Sequence, residues 1–418
     1  MEKSDTEKKI GYRDVFTQKE YCKIILANII SRFGDSIDAI AFTWLVYQVT
    51  GSASWSAIIF ALNQLPTVLV QPFAGAFVEN VNKKHLMVIT DLIRGILVAG
   101  LAALYHFDQI QPWILVVFVL IISSVEAFHI PAAMAVIPKL IQPEYYSYAT
   151  SLNSTVCKVM ELIGMGIAGV IIGLFGIHTA FYIDAVTFFG SALILQCIKL
   201  KESGREKTPL NVKVYVDTLI GGAKYLKSQS VIRNFCLLGV VINAIMVPIN
   251  SLQSPLVSEV LGQGTELLSA FGISISIGMG VGSFIFPKIS ERIPVREMTV
   301  GTGILMGVSI FFYPLGSLFK ENIVAIYALT IIASFILGAC ASLIMSALSV
   351  QFVKVVKEDY MARVGAIFNA SATAAIPVTS VIVSIAVAQI STAQILLVSS
   401  ILCVILFVLI EVIRLQLE

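Results

Sequence analysis

A chain of 418 residues that is 57% hydrophobic and only 13% charged cannot be an ordinary soluble domain, where those shares run at about 45–50% and about 25%. Its net charge of +2 gives no strong field of either sign, and no nucleic-acid partner is expected. Cys22, Cys157, Cys197, Cys236, Cys340 and Cys403 contain no CxxC pair, so no disulfide framework or zinc site is implied and apolar packing is the expected role.

Apolar runs long enough to cross a bilayer as a helix recur along the chain. Twelve are expected, near 21–49, 55–78, 86–105, 113–137, 146–175, 179–198, 232–257, 267–287, 298–319, 323–352, 364–390 and 393–413. The polar stretch ahead of the first carries no cleavable-signal pattern, so the spans themselves are expected to direct insertion. Lys and Arg accumulate in cytoplasmic loops. With both termini inside, all of the 28 Lys and Arg residues fall on the cytoplasmic side except Lys320 and the three within spans, Arg32, Arg94 and Lys158. The expected location is a multi-pass protein of the inner (plasma) membrane with cytoplasmic N- and C-termini.

The longest polar interruption follows the sixth span and divides the spans six and six. Three units are expected: 1–198, 199–231 and 232–418. Within the middle one, Val212, Tyr215, Val216, Leu219, Ile220, Ala223 and Leu226 are spaced as an amphipathic surface helix. Features repeat on either side. Gly75-Ala-Phe-Val is echoed by Gly282-Ser-Phe-Ile, and Glu144-Tyr-Tyr with Asn153 by Glu358-Asp-Tyr with Asn369. The expected fold is all-α, with two six-helix bundles related by a pseudo-two-fold axis across a central cavity.

The loop Gly75-Ala-Phe-Val-Glu79-Asn-Val-Asn-Lys83-Lys84 resembles the signature between the second and third spans of the major facilitator superfamily. Phe33-Gly-Asp-Ser-Ile-Asp, Leu45-Val-Tyr-Gln-Val-Thr-Gly-Ser52, Ala127-Phe-His-Ile-Pro-Ala and Tyr182-Ile-Asp184-Ala-Val-Thr-Phe look like its macrolide-efflux and enterobactin-exporter branch. The resemblance runs along essentially the whole chain and implies proton-driven export. Two departures stand out: Asn80 and Asn82 replace the usual Arg and Gly of the loop, and the fourth span lacks the buried Arg of many proton-coupled drug antiporters. A gating role for the loop would then rest on Gly75, Glu79, Lys83, Lys84, Asp91 and Arg94. An acid there would cap the helix that begins near Val364 and latch one state of the transporter.

Seven charges lie in otherwise apolar spans, all in the first half: Arg32, Asp35, Asp38, Glu126, Lys158, Glu161 and Asp184. Each costs at least about 2.5 kcal/mol at bilayer depth, so each needs a partner, a wet cavity or a task. Arg32, Asp35 and Asp38 share one helix face, and Arg32 is the expected partner of Asp35. Lys158 and Glu161 form a second same-helix pair, unless an acid of the first span competes for Lys158. Asp184 is expected to be a structural hydrogen-bonding acid. Glu126 and His129 are too few to hold a metal. The proton-coupling candidates are Asp38, Glu126, Asp35 and Glu161, because burial disfavours the ionised carboxylate and lets it load and release a proton. Asp38 and Glu126 lead, since neither has a cation on its own helix. In the charge-poor second half, Asn243, Asn250, Gln253 and Asn369 are candidates for the cavity wall, and Pro248 and Pro255 interrupt the seventh span.

No Walker-type loop, nucleophile–base pairing or HExxH motif appears, which argues against a primary pump or an intramembrane enzyme. The leading expectation is a monomeric secondary transporter in the lipid bilayer, without cofactor, exporting a hydrophobic or amphipathic small molecule on a proton gradient. A siderophore or other metabolite exporter, or a solute symporter, is the alternative.

Overall fold

A computed structural model describes residues 15–79, 81–142, 145–200, 230–319, 322–356 and 361–414. The chain runs through α1 (Lys19–Thr50), α2 (Ala53–Leu69), α3 (Gln71–Glu79), α4 (Lys83–His106), α5 (Pro112–Leu140), α6 (Tyr146–Phe175) and α7 (Ile177–Gln196). It continues with α8 (Ser230–Ser251), α9 (Thr265–Ser290), α10 (Val295–Leu315), α11 (Ile323–Val355), α12 (Met361–Val387) and α13 (Thr392–Val412). Among the described residues, nine helices are long and apolar enough to cross a membrane. Many helices bare large apolar side chains outward: Leu193 is 70%, Val324 73% and Phe284 80% exposed. Water would not tolerate so extensive an apolar surface, whereas lipid requires it.

Local chemistry sets the helix ends. Gly51 takes φ 58° and returns its N–H to the Tyr47 carbonyl, closing α1 in a left-handed cap. Asn82 accepts from the His85 amide to start α4, and Ser391 and Gln394 form a capping box on α13. The expected span at 55–78 is broken in two. Pro72 has no amide to donate, and the pieces meet at Val70, whose N–H reaches the Pro66 carbonyl. The expected span at 232–257 also ends early. α8 tolerates Pro248 but stops at Ser251, and a π-turn over Leu256–Val260 follows Pro255.

α1, α4, α5, α6 and α7 pack together, as do α9, α10, α11 and α13, while α2 meets α12 and α6 meets α9 across the molecule. Small residues permit the closest crossings. Gly278 and Gly282 of α9 lie against the Phe335 and Ala339 carbonyls of α11, and Gly169 of α6 against Thr265 and Ser269 of α9. The contacts joining the two sets gather at the end of the molecule away from the described chain termini. Ser54 Oγ lies 2.7 Å from Ser384 Oγ and donates to the Ser384 carbonyl at 2.9 Å. Tyr47 and Thr392 both donate to Glu259, at 2.7 Å and 3.0 Å. This seal roofs the space between the halves. The expected amphipathic helix over Val212–Leu226 lies outside the described residues.

Candidate substrate cavity and charge cluster

Beneath the seal lies a cavity of about 530 Å³, walled by both halves. α1 contributes Arg32, Asp35, Asp38 and Phe42, α2 contributes Asn63, α4 contributes Arg94 and α5 contributes Glu126. Asn250, Gln253, Gly272 and Ser276 face them from the second half. One wall therefore carries charge and the other only neutral polar groups. Of the expected second-half candidates, Asn250 and Gln253 line the cavity. Asn243 does not: its amide donates to the Gly239 carbonyl, 2.9 Å away on its own helix. The Asn369 side chain lies outside the described residues.

The charge pairing departs from sequence expectation. Asp35 is held by Arg94 of α4, Nη2 to Oδ1 at 3.1 Å, and not by Arg32. A same-helix pair at i, i+3 costs little to form but also little to break. The observed cross-helix pair is fixed from behind, because the Arg94 guanidinium stacks 4.2 Å above the Phe188 ring of α7. Gly95 permits this approach, since a Cβ there would press on Phe188 and Phe189 at 3.1–3.2 Å. Arg32 is exposed and makes no ion pair among the described residues.

Asp91 and Arg94, expected at the cytoplasmic gate, sit instead in the bundle interior. Asp91 is 1% and Arg94 8% exposed. The reason is axial: α4 starts at Lys83, so Asp91 is already about 12 Å along it at 1.5 Å per residue. Ser191 of α7 donates to Asp91 Oδ2 at 2.7 Å. His129 Nδ1 stands 3.3 Å from Asp91 Oδ1, an ion-pair distance without hydrogen-bond alignment, and 2.8 Å from Thr90 Oγ1. His129 thus hydrogen-bonds Thr90 and lies beside Asp91, and makes no ion pair with Glu126 among the described residues. Of the other gate candidates, Lys83 reaches the Val81 carbonyl and Lys84 donates to the Gln196 carbonyl at 2.6 Å. Gly75 and Glu79 lie in α3, and the Glu79 side chain is outside the described residues.

Asp184 has the expected structural surroundings. It is 1% exposed, 3.3 Å from the Thr187 hydroxyl, and tucked against Gly34 of α1 where no Cβ would fit. Lys158 and Glu161 form the expected pair at 2.6 Å. Ser276 of α9 lies 3.5 Å from both, so the pair touches the other half instead of an acid of α1. Asp91 and Asp38 each bury one carboxylate oxygen, Oδ1, without a hydrogen-bond partner, and of the two only Asp38 lines the cavity. Glu126 also lines the cavity and has no ion pair among the described residues.

Two features escaped the sequence reading. Glu259 lies just beyond the expected span 232–257 and carried no expectation, yet the π-turn places it between Tyr47 and Thr392. Arg94 was counted within a span yet assigned to the gate, although its i, i+3 spacing from Asp91 is the same signal that marked Arg32 and Asp35.

The Major Facilitator Superfamily profile matches residues 24–333. The chain is 25% identical to the multidrug efflux pump Tap of Mycolicibacterium fortuitum, over 70% of this chain and 73% of that protein. It is 21% identical to macrolide efflux protein A of Streptococcus pyogenes, over 84% of each. It is also 24% identical to the staphyloferrin A transporter of Staphylococcus aureus, over 72% of this chain and 74% of that one. Among solved structures, the nucleoside transporter NupG superposes with a TM-score of 0.73 at 10% identity, covering 95% of this chain and 99% of that one. A bacterial homologue of the iron transporter ferroportin, in an inward-facing state, gives 0.68 at 12% identity, covering 93% and 98%. The helical architecture, the cavity between its halves and this profile agree: the chain belongs to the Major Facilitator Superfamily and is a membrane transporter.

Proposed function

We propose that the protein exports a hydrophobic or amphipathic compound from the cell in exchange for protons, with Asp38 as the principal proton site. The observation that carries this reading is the buried, unpartnered Asp38 Oδ1 at the cavity wall. Asp35 is already engaged by Arg94. An acid without a partner is most comfortable protonated when the cavity is dry and can ionise when water or a cationic group enters. The names of the relatives, a multidrug and a macrolide efflux protein, support export of large amphipathic molecules.

Alternation follows from where the halves touch. In this reading the halves, 1–198 and 232–418, carry twelve spans between them, sit in the plasma membrane with cytoplasmic termini, and rock about the cavity. The Tyr47–Glu259–Thr392 bridge and the Ser54–Ser384 contact are the outer closure that must part in the outward-open state. Everted membrane vesicles test the function. A proton gradient should drive accumulation of a fluorescent amphipathic dye, and a protonophore should release it. The relative named as a staphyloferrin A transporter supports a second reading, export of a siderophore or similar metabolite. Gradient-driven movement of a ferric chelate but not of dyes would favour it.

A further inference from the structure

The charge inventory of the cavity leaves a remainder of both signs. Arg94 and Asp35 cancel at 3.1 Å. What stays uncompensated at the cavity wall is Arg32 on one side of the account, and Asp38 and Glu126 on the other. Arg32 is not within ion-pair distance of either acid, and the facing wall of Asn250, Gln253 and Ser276 offers no charge to either sign. Arg32 and Asp38 are six residues apart on α1, a separation of about 9 Å along the helix axis. Asp38 lies nearer the sealed end, toward Val46 and Ser56, and Arg32 nearer the opposite end.

We infer that this cavity takes a zwitterionic amphipath, its cationic group received by Asp38 and Glu126 and its acidic group by Arg32. The inference rests on the cavity being the transport site. The physical reason is desolvation. An apolar or purely cationic substrate filling the cavity would displace the water around Arg32 and give it nothing in return, leaving a guanidinium without a partner. A purely anionic one would do the same to two carboxylates. A substrate bearing both groups at roughly the separation of Arg32 and Asp38 answers both, with its apolar body against Phe42, Ile59 and Met165. Arg suits the acidic group because its fork matches a carboxylate in two hydrogen bonds.

The test uses two dyes of one scaffold: rhodamine B, a carboxylate zwitterion, and its ethyl ester, a plain cation. Binding of each to the purified full-length protein is measured by fluorescence polarisation at neutral pH. Wild type should bind the zwitterion about tenfold more tightly than the ester. Arg32→Gln should erase that preference by weakening the zwitterion alone, and Glu126→Gln should weaken both dyes. Equal or tighter binding of the ester by wild type, or a preference that survives Arg32→Gln, overturns the inference. Arg32→Lys, which keeps the charge, should retain part of the preference and separates loss of charge from misfolding. If neither dye binds to protein that still unfolds cooperatively on heating, the cavity itself is not the amphipath site. That outcome removes the transport-site reading as well, and is distinct from dyes that bind without the predicted preference.

Discussion

Arg94 on α4 holds Asp35 on α1 at 3.1 Å while its guanidinium carbon sits 4.2 Å over the Phe188 ring of α7, so one side chain ties three helices at the back of the cavity. That arrangement sets the two acids of α1 apart: Asp35 is engaged by a cation, and Asp38, one turn on, keeps a buried oxygen without a hydrogen-bond partner. Removing Arg94 should therefore damage more than a salt bridge. Arg94→Gln is expected to destabilise the protein by about 2–3 kcal/mol, below the range for a fully buried pair because Asp35 faces the cavity. Adding Asp35→Asn should recover part of the loss, since the stranded carboxylate is then gone. A chemical or thermal unfolding cycle in detergent measures both, and strict additivity would show that the pair is not coupled.

The contact between Ser54 and Ser384 makes a geometric prediction. Ser54 and Ser384 oxygens are 2.7 Å apart, so Ser54→Cys/Ser384→Cys should crosslink readily under mild oxidation and stop transport until reduced. Tyr47→Phe deletes the hydrogen bond that ties α1 to Glu259 in the other half and leaves the Thr392–Glu259 contact within its own half, so it should lower the crosslinking yield of that pair several-fold. Unchanged yield would remove the Tyr47–Glu259 bond from the closure.

Close helix crossings should be intolerant of a single methyl group. A Cβ at Gly278 would collide with the Phe335 carbonyl, which is backbone and cannot move aside. Gly278→Ala is expected to cost about 1–3 kcal/mol, whereas Gly280→Ala, with open space around it, should be neutral or slightly stabilising. Comparing their melting temperatures checks the α9–α11 crossing directly.

One acid just ahead of the first span gives a pH signature. Glu20 accepts the Lys199 amide at 2.7 Å and the Lys23 ammonium at 2.9 Å, and that amide, followed by Lys23, pulls its carboxyl below the ordinary 4.5. A depressed folded-state value contributes stability above the unfolded value and loses it as pH falls through the folded one. The stability gap between wild type and Glu20→Gln should thus be present at pH 7 and shrink below about pH 4. A gap that widens on acidification would contradict the assignment.

How much of this was legible beforehand differs by feature. The transporter fold was, because membrane insertion writes itself into long apolar runs and lopsided Lys and Arg. The places of Asp38 and Glu126 on the cavity wall were half legible: a carboxylate in such a run is rare enough to stand out, but which cavity it faces is not written in the run. Helix partners were not. Arg32 and Asp35 look paired along one helix, but Arg94 wins because Phe188 and Gly95, ninety-odd residues apart in sequence, shape its seat. The loop motif likewise drew Asp91 and Arg94 to the membrane edge, when their distance from the start of α4 already placed them deeper. Glu259 depends on a π-turn, which has no clear sequence signal.

Gradient-driven transport by Asp38→Asn is the most direct test of the central claim. In everted vesicles the variant should lose proton-driven dye accumulation by at least about tenfold while retaining gradient-independent exchange of the same dye, because an asparagine keeps the shape of the site but carries no titrating proton. Wild-type accumulation by Asp38→Asn, with its dependence on the proton gradient intact, would contradict the account.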